Sequence, residues 1–157
     1  TALGNGVPIG ACWARAEVAS VFEPGDHATT FGGQPLATAA ARAVLEVMES
    51  EQVPQRAARA GSYLTGSLLD APGVVSVRGM GLLLAVELEL TDGRDAGDVV
   101  TELLSGVHGA RVVANAVTPT ALRLAPSLLV SNDEIHEATE AIAAAVVPAA
   151  SRRRSGS

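Results

Sequence analysis

The chain has 157 residues, of which 48% are hydrophobic and only 3% are aromatic. This length and apolar content fit a globular protein of one or two domains and exclude a disordered chain. The net charge of −6 argues against nucleic acid as the main partner, because phosphate binding requires a basic surface. All eleven basic residues are arginines, so the chain contains no lysine. Its single cysteine, Cys12, excludes an internal disulfide bond and suits a reducing cytoplasm.

The first third of the chain combines a glycine-rich segment with two helices. Residues 1–33 contain six glycines and little helical periodicity, which indicates loops and short elements that need a larger scaffold. A strand and a short helix are expected between Ile9 and Val21. Proline at a first helical position predicts one helix over Pro35–Gln52, and a stripe of Ala and Leu predicts a second over Pro54–Leu69.

The remainder alternates between strands and helices. Strands are predicted at Val74–Val77 and Leu82–Leu90, joined by a turn that Arg78 helps to secure. A helix capped by Asp95 is expected to run through Leu104 and to stop at Gly106.

Two further short strands and a last helix complete this part. The strands are predicted at Val112–Val113 and Leu122–Leu124. Ser131 and Glu134 form a capping box for the helix, which ends before Pro148. The pattern predicts a small α/β or α+β domain.

The segment His27–Pro35 is the first candidate for a binding site. Two threonine hydroxyls, paired glycines and a helix start suit an anion, because backbone N–H groups at a helix N-terminus carry partial positive charge. The same pattern also fits an ordinary turn before a helix. His27 has no His or Cys partner at metal-ligand spacing, and no metal site is expected.

Arg123 is the second candidate. It lies between Leu122 and Leu124, in a strand whose other side chains are apolar. A guanidinium group there could hold a carboxylate in a bidentate pair. The alternative is an arginine on an edge strand that faces water.

Three blocks of the chain together resemble the pyridoxal-phosphate aminotransferases of the ornithine and acetylornithine group. They are Ala2–Ala11, His27–Pro35 and Leu122–Pro126, in the order and at the separation found in that family. Arg78–Leu82 falls where the family has a similar Arg-Gly-x-Gly-Leu turn. The resemblance extends to about Pro148.

The resemblance implies a fold and a domain organisation. It predicts the end of a pyridoxal-phosphate transferase large domain with its linking helix over residues 1–52. A small C-terminal domain of the α/β (α+β) class is then expected over residues 53–148, with a disordered tail at 149–157.

It also implies roles for individual residues. Thr30 matches the threonine that binds the phosphate of pyridoxal 5'-phosphate and reaches into the partner subunit's active site. Thr29 matches a hydroxyl position beside the amino-acid substrate, and Arg123 matches the arginine that holds a substrate carboxylate. Three positions depart from the common pattern, with Ala28 for glycine, Thr29 for serine and Gln34 for asparagine.

The family's catalytic lysine, which holds the cofactor as a Schiff base, would directly precede Ala2 and is absent from this sequence. We therefore expect the C-terminal part of a homodimeric cytoplasmic aminotransferase of arginine biosynthesis, acting on N-acetylornithine and 2-oxoglutarate. The isolated chain is expected to be inactive, with no metal, membrane or nucleic-acid partner. The alternative function is a non-catalytic binding or dimerisation module derived from the small domain.

Overall fold

The computed structural model describes residues 2–91 and 93–147. The chain divides into two compact units, with the boundary between Val53 and Pro54. The predicted tail at 149–157 and the arginine run 152–154 within it lie outside the described residues.

The first unit contains little regular structure before its long helix. A 3-10 turn at Ala2–Gly4 precedes helix α1 at Ala16–Ala19 and helix α2 at Pro35–Ser50. The strand expected between Ile9 and Val21 does not form, since these residues are exposed or half-buried and pair with no strand among the described residues. Helix α2 begins at Pro35, as predicted, and ends two residues before the predicted Gln52.

The second unit is built from three helices and four strands. The helices are α3 at Val53–Leu69, α4 at Ala96–Ser105 and α5 at Asn132–Val146. The strands are β1 at Val74–Met80, β2 at Leu83–Leu88, β3 at Asn115–Thr118 and β4 at Ala121–Leu124. They form one antiparallel sheet in the order β1-β2-β4-β3. The expected α/β (α+β) class is confirmed. The antiparallel sheet makes the second unit an α+β domain.

The hairpin of β1 and β2 is tighter than the sequence predicts. Strand β1 continues through Arg78 and Gly79 to Met80, which pairs with Leu83. Gly79 remains in the ladder opposite Leu84, and its φ of 146° is a conformation that only glycine adopts readily. The predicted role of Arg78 in a turn is therefore wrong, because this residue pairs with Ala85 inside the sheet.

Strand β3 also lies later in the chain than predicted. The strand expected at Val112–Val113 does not form, because the N–H of Val112 donates to the carbonyl of Leu103 and closes the loop after α4. Pairing with β4 begins instead at Asn115, opposite Arg123.

One face of the sheet is buried beneath the helices. Leu84, Val86 and Leu88 of β2 alternate with more exposed neighbours. The core adds buried side chains from β4 and from all three helices: Leu122, Leu124, Ala57, Ala60, Leu64, Leu68, Ala96, Val99, Leu103, Ile135, Ala141, Ile142, Ala145 and Val146. Burying each large side chain stabilises the fold by about 1.5–3 kcal/mol. Burial of this face therefore determines which side of the sheet packs against the helices.

Helix α3 approaches the β1–β2 hairpin at two glycines. A Cβ atom built on Gly61 would lie 2.0 Å from the carbonyl oxygen of Gly81. Gly81 has a φ of 57°, in the left-handed region that favours glycine. No side chain larger than hydrogen fits between the helix and the turn at this point.

Substituting Gly61 therefore tests this contact, with Gly66 on the same helix as a control. Gly61→Ala is expected to destabilise the chain by about 1–3 kcal/mol, because backbone must move to admit the methyl group. Gly66→Ala, where nothing lies within 4 Å of the added Cβ, should raise stability by about 0.5–1 kcal/mol. Urea unfolding measures both; equal effects of the two substitutions would contradict the close approach.

Two helices begin at predicted caps, and both caps are capping boxes in the structure. The Asp95 carboxylate accepts hydrogen bonds from the N–H groups of Gly97 and Asp98 at 2.7 and 3.1 Å, and α4 ends at Gly106 with a φ of 73°. Ser131 Oγ accepts from the N–H of Glu134 at 3.2 Å, and Glu134 Oε2 accepts from the N–H of Ser131 at 2.8 Å. Both predicted caps are confirmed.

The backbone N–H of Ser131, and then its hydroxyl, lower the pKa of Glu134 below its ordinary value. A carboxylate with a lowered folded-state pKa stabilises the fold above its unfolded pKa, and this contribution disappears as the pH falls through the folded pKa. Glu134→Gln should therefore reduce the acid dependence of unfolding. Ser131→Ala should cost about 1 kcal/mol at neutral pH. Urea midpoints measured across the acid range check these outcomes, and an unchanged acid dependence in Glu134→Gln would contradict them.

Over residues 2–91 and 93–147, no helix combines the length and the apolar character required to cross a membrane.

Candidate functional site

The two threonines of the first unit lie in a tight turn before α2. The N–H of Gly32 donates to the carbonyl of Thr29 at 3.3 Å. A Cβ atom at Gly32 would lie 2.3 Å from Cγ2 of Thr29, and Gly33 has a φ of 67°. Thr29 and Thr30 are both exposed. The paired glycines thus let the chain fold back closely beside two accessible hydroxyl groups.

The helix start that follows this turn has no side-chain cap from its N-cap residue. Gln34 is extended and makes no capping hydrogen bond, and Pro35 occupies the first turn without an N–H. The first backbone N–H groups of the helix come from Leu36 and Ala37, and neither receives a cap from Gln34. An uncapped helix N-terminus carries partial positive charge and suits an anion.

The same turn lines a cavity of about 370 Å³ in the first unit. Thr29 and Phe31 lie on one side with the two glycines, and Pro8, Ile9 and Gly10 contribute from the first glycine-rich block. Two motifs that are about twenty residues apart in sequence therefore share one cavity. Thr30, the predicted phosphate ligand, is exposed at the same turn.

Arg123 lies in the middle of β4 and is exposed, whereas Leu122 and Leu124 on either side are buried. Strand β4 is paired on both sides, so the alternative is wrong about an edge strand, although Arg123 is exposed as that alternative expected. Its Nη2 donates to Oδ1 of Asn115 at 3.3 Å. This bond orients the guanidinium group on the sheet surface and leaves its other N–H groups for a ligand.

The structure places the predicted site residues in both units. Thr29 and Thr30 lie in the first unit, and Arg123 lies in the second. The sequence analysis missed Asn115 as the partner of Arg123, because that contact depends on the register of β3 against β4. Among the described residues, no cluster of three or more His, Cys, Asp and Glu side chains is arranged to hold a metal ion.

The family model of the class-III aminotransferases matches residues 1–146. The chain belongs to the class-III aminotransferases. Its relatives include the acetylornithine aminotransferase of Corynebacterium efficiens, which is 44% identical over 142 residues and is matched across 90% of this chain and 33% of the relative. An ornithine aminotransferase of an Exiguobacterium species is 40% identical over 152 residues, which cover 95% of this chain and 36% of the relative.

Solved structures of aminotransferases have a fold similar to that of most of this chain. The ornithine aminotransferase of Toxoplasma gondii superposes with a TM-score of 0.73 at 32% identity, covering 89% of this chain and 33% of that one. The acetylornithine aminotransferase of Elizabethkingia anophelis gives 0.72 at 28% identity, covering 85% of this chain and 35% of that one. The chain thus spans about a third of the length of the relatives that it matches.

Membership of the class-III aminotransferases implies pyridoxal phosphate as the cofactor, which the Toxoplasma structure is described as holding at partial occupancy in its active site. The residues at the start of α2 fit its phosphate group. They provide an uncapped helix N-terminus and two exposed threonine hydroxyls within a glycine turn. This donor set contains no carboxylate that would repel a phosphate.

Proposed function

We propose that this chain is the C-terminal part of a pyridoxal-phosphate-dependent aminotransferase that transfers an amino group from N-acetylornithine to 2-oxoglutarate. The observation that carries the proposal is the pair of exposed threonines before the uncapped start of α2, in a chain that matches the family over residues 1–146. The choice of N-acetylornithine follows the relative that is 44% identical.

In this proposal the start of α2 binds the phosphate of the cofactor. The Thr30 hydroxyl donates to a phosphate oxygen, and the first free backbone N–H groups of α2 add the attraction of the helix N-terminus. The cofactor, when bound, supplies the electron sink that lets an amino group move between two substrates. The residues of the protein determine the position and the orientation of the cofactor.

Arg123 binds a substrate carboxylate in the proposed enzyme. Its side chain is exposed on an interior strand, and Asn115 orients it from the neighbouring strand. A planar guanidinium group pairs with a carboxylate through two parallel hydrogen bonds, which fixes the position of the substrate as well as its charge. Thr29 lies beside the amino-acid substrate in the same proposal.

The remaining assignments concern the whole enzyme. Residues 1–52 belong to the large domain and its linking helix, and residues 53–148 form the small domain of a cytoplasmic homodimer in arginine biosynthesis. The 157 residues alone are inactive, because they contain no lysine to hold the cofactor and to move a proton during amino transfer. Thr30 acts in the active site of the partner subunit.

Replacing Thr30 tests the cofactor site in the protein encoded by the complete reading frame. Thr30→Val removes one hydrogen bond to a charged group, which is worth about 1.5–3 kcal/mol. The dissociation constant for pyridoxal phosphate, measured by absorbance titration of the apo form, should rise about ten- to hundredfold.

Thr38→Val is the matched control, because the Thr38 hydroxyl donates to the carbonyls of Gln34 and Pro35 within the helix. It should leave the cofactor affinity unchanged. Equal affinities for wild type and Thr30→Val would remove Thr30 from the phosphate site.

Replacing Arg123 tests the carboxylate site in the same protein. Arg123→Gln should raise the KM of N-acetylornithine and of 2-oxoglutarate about tenfold or more, because the bidentate charge pair is lost. Arg42→Gln, an exposed arginine on α2 with the same change of charge, is the control. Steady-state assays of the complete reaction, varying each substrate in turn, provide the KM values. Unchanged KM values would reject the role of Arg123. Amino transfer from no ornithine-like donor would reject the proposed function.

A further inference from the structure

A second cavity lies within the second unit, between the first half of α3 and the start of α5. It measures about 550 Å³, which is within the range of small-molecule sites. One wall is a single face of α3, on which the lining residues recur at helical spacing. They are Arg56, Arg59, Ala60 and Tyr63. The other wall consists of residues 130–133, which lead into α5.

The cavity is lined by charged groups of both signs that do not pair with each other. Arg59 contributes a guanidinium group from α3, and Asp133 contributes a carboxylate from α5. Within the described residues, neither side chain forms an ion pair. A simple anion suits this cavity poorly because Asp133 repels it, and Arg59 repels a simple cation in the same way. A ligand that carries both charges can pair with both side chains.

Contacts outside the cavity hold its two walls together. Nη2 of Arg56 on α3 donates to the carbonyl of Leu129, immediately before the second wall, at 3.3 Å. The Glu134 carboxylate accepts from the N–H and the hydroxyl of Ser131 at 2.8 and 2.9 Å. Glu134 is therefore engaged in the cap of α5, whereas Asp133 beside it lines the cavity.

The remaining lining includes apolar and aromatic surface. Ala60 is buried, Val130 is half-buried, and Tyr63 is 44% exposed. Among the described residues, the ring of Tyr63 contacts no other aromatic ring. Aromatic rings attract each other in offset-stacked or edge-to-face arrangements, and their burial removes a large apolar area from water. The uncharged part of this cavity therefore favours an aromatic group.

We propose that this cavity binds a free α-amino acid with an aromatic side chain. Arg59 pairs with the α-carboxylate through two hydrogen bonds, and Asp133 accepts hydrogen bonds from the α-ammonium group. The aromatic ring of the ligand packs against Tyr63 and Val130. Arg123 is not among the lining residues, so this site is separate from the one in the proposed function and does not depend on it.

The test measures binding of three probes to the purified chain of residues 1–157. L-phenylalanine carries both charges, 3-phenylpropanoate lacks the ammonium group, and 2-phenylethylamine lacks the carboxylate. Because Tyr63 is the single tyrosine of the chain, its ring signals in nuclear magnetic resonance spectra report on the cavity without ambiguity. The shifts of these signals during titration give each dissociation constant.

Wild type should bind phenylalanine about tenfold or more tightly than either analogue. Arg59→Gln should remove the preference over 2-phenylethylamine, which has no carboxylate to lose, and should change the affinity for this amine less than about threefold. Asp133→Asn should remove the preference over 3-phenylpropanoate in the same manner. Arg59→Lys should retain part of the affinity for phenylalanine, since it keeps the charge but loses the bidentate geometry.

Two variants control for the change of net charge alone. Arg42→Gln removes an exposed arginine from α2, and Glu137→Gln removes an exposed carboxylate from α5. Both should leave the three affinities unchanged. Circular dichroism verifies that each variant is folded, which matters most for Asp133→Asn because Asp133 lies in the first turn of α5.

Equal affinities of wild type for the three probes would overturn the proposal. So would a preference for phenylalanine that survives in both Arg59→Gln and Asp133→Asn, or one that falls equally in the two control variants. A loss of phenylalanine binding in Arg123→Gln would place the amino acid at β4 instead and would also overturn it. If the preference requires Arg59 and Asp133 but the complete protein transfers no amino group, the proposed function fails and this site stands.

Discussion

The burial of one face of a four-stranded antiparallel sheet is the constraint on which the second unit depends. Side chains alternate between the two faces of a strand, so placing Leu84, Val86 and Leu122 in the core forces their neighbours outwards. Arg78 and Arg123 are exposed as a consequence of this alternation. A shift of one residue in any pairing would bury an arginine and expose a leucine. Burial of the leucines in the core therefore disfavours the shifted registers.

The contact between Gly61 and Gly81 adds a second constraint to the same face. It sets the separation of α3 from the β1–β2 hairpin, because no Cβ fits between them. The turn is thereby held close to the helix, and Met80 and Leu83 remain at its exposed side. The backbone of this hairpin therefore connects the packed core side of the sheet with the exposed side chains of its open face.

The sequence predicted the helices of the second unit well, because their signals are local. Asp95 and Ser131 mark helix starts through hydrogen bonds to residues three positions away, and these caps are present. Strands were predicted less well. Whether a strand forms at Val112 or at Asn115 depends on a partner elsewhere in the chain, and Val112 uses its N–H to close a loop.

The site shows the same division between local and distant information. The turn at Thr29 and Thr30 was predictable, because its signals lie within the nine residues of His27–Pro35. The glycine pair marks the turn, and the proline that follows marks the start of α2. The pairing of Arg123 with Asn115 and the alignment of Arg78 were not, because both follow from strand register. The apolar pattern of the strand and the family resemblance both pointed to Arg123, whereas only the topology aligns Arg78 with it, through Ala85.

The measurement that tests the central claim most directly follows the transferred nitrogen itself. N-acetylornithine has a single free amine, at the end of its side chain, and this amine can be labelled with ¹⁵N. The protein encoded by the complete reading frame, incubated with labelled donor, 2-oxoglutarate and pyridoxal phosphate, is predicted to produce ¹⁵N-glutamate in mass spectra. Label that stays in the donor, under conditions in which the protein is folded, would contradict the account.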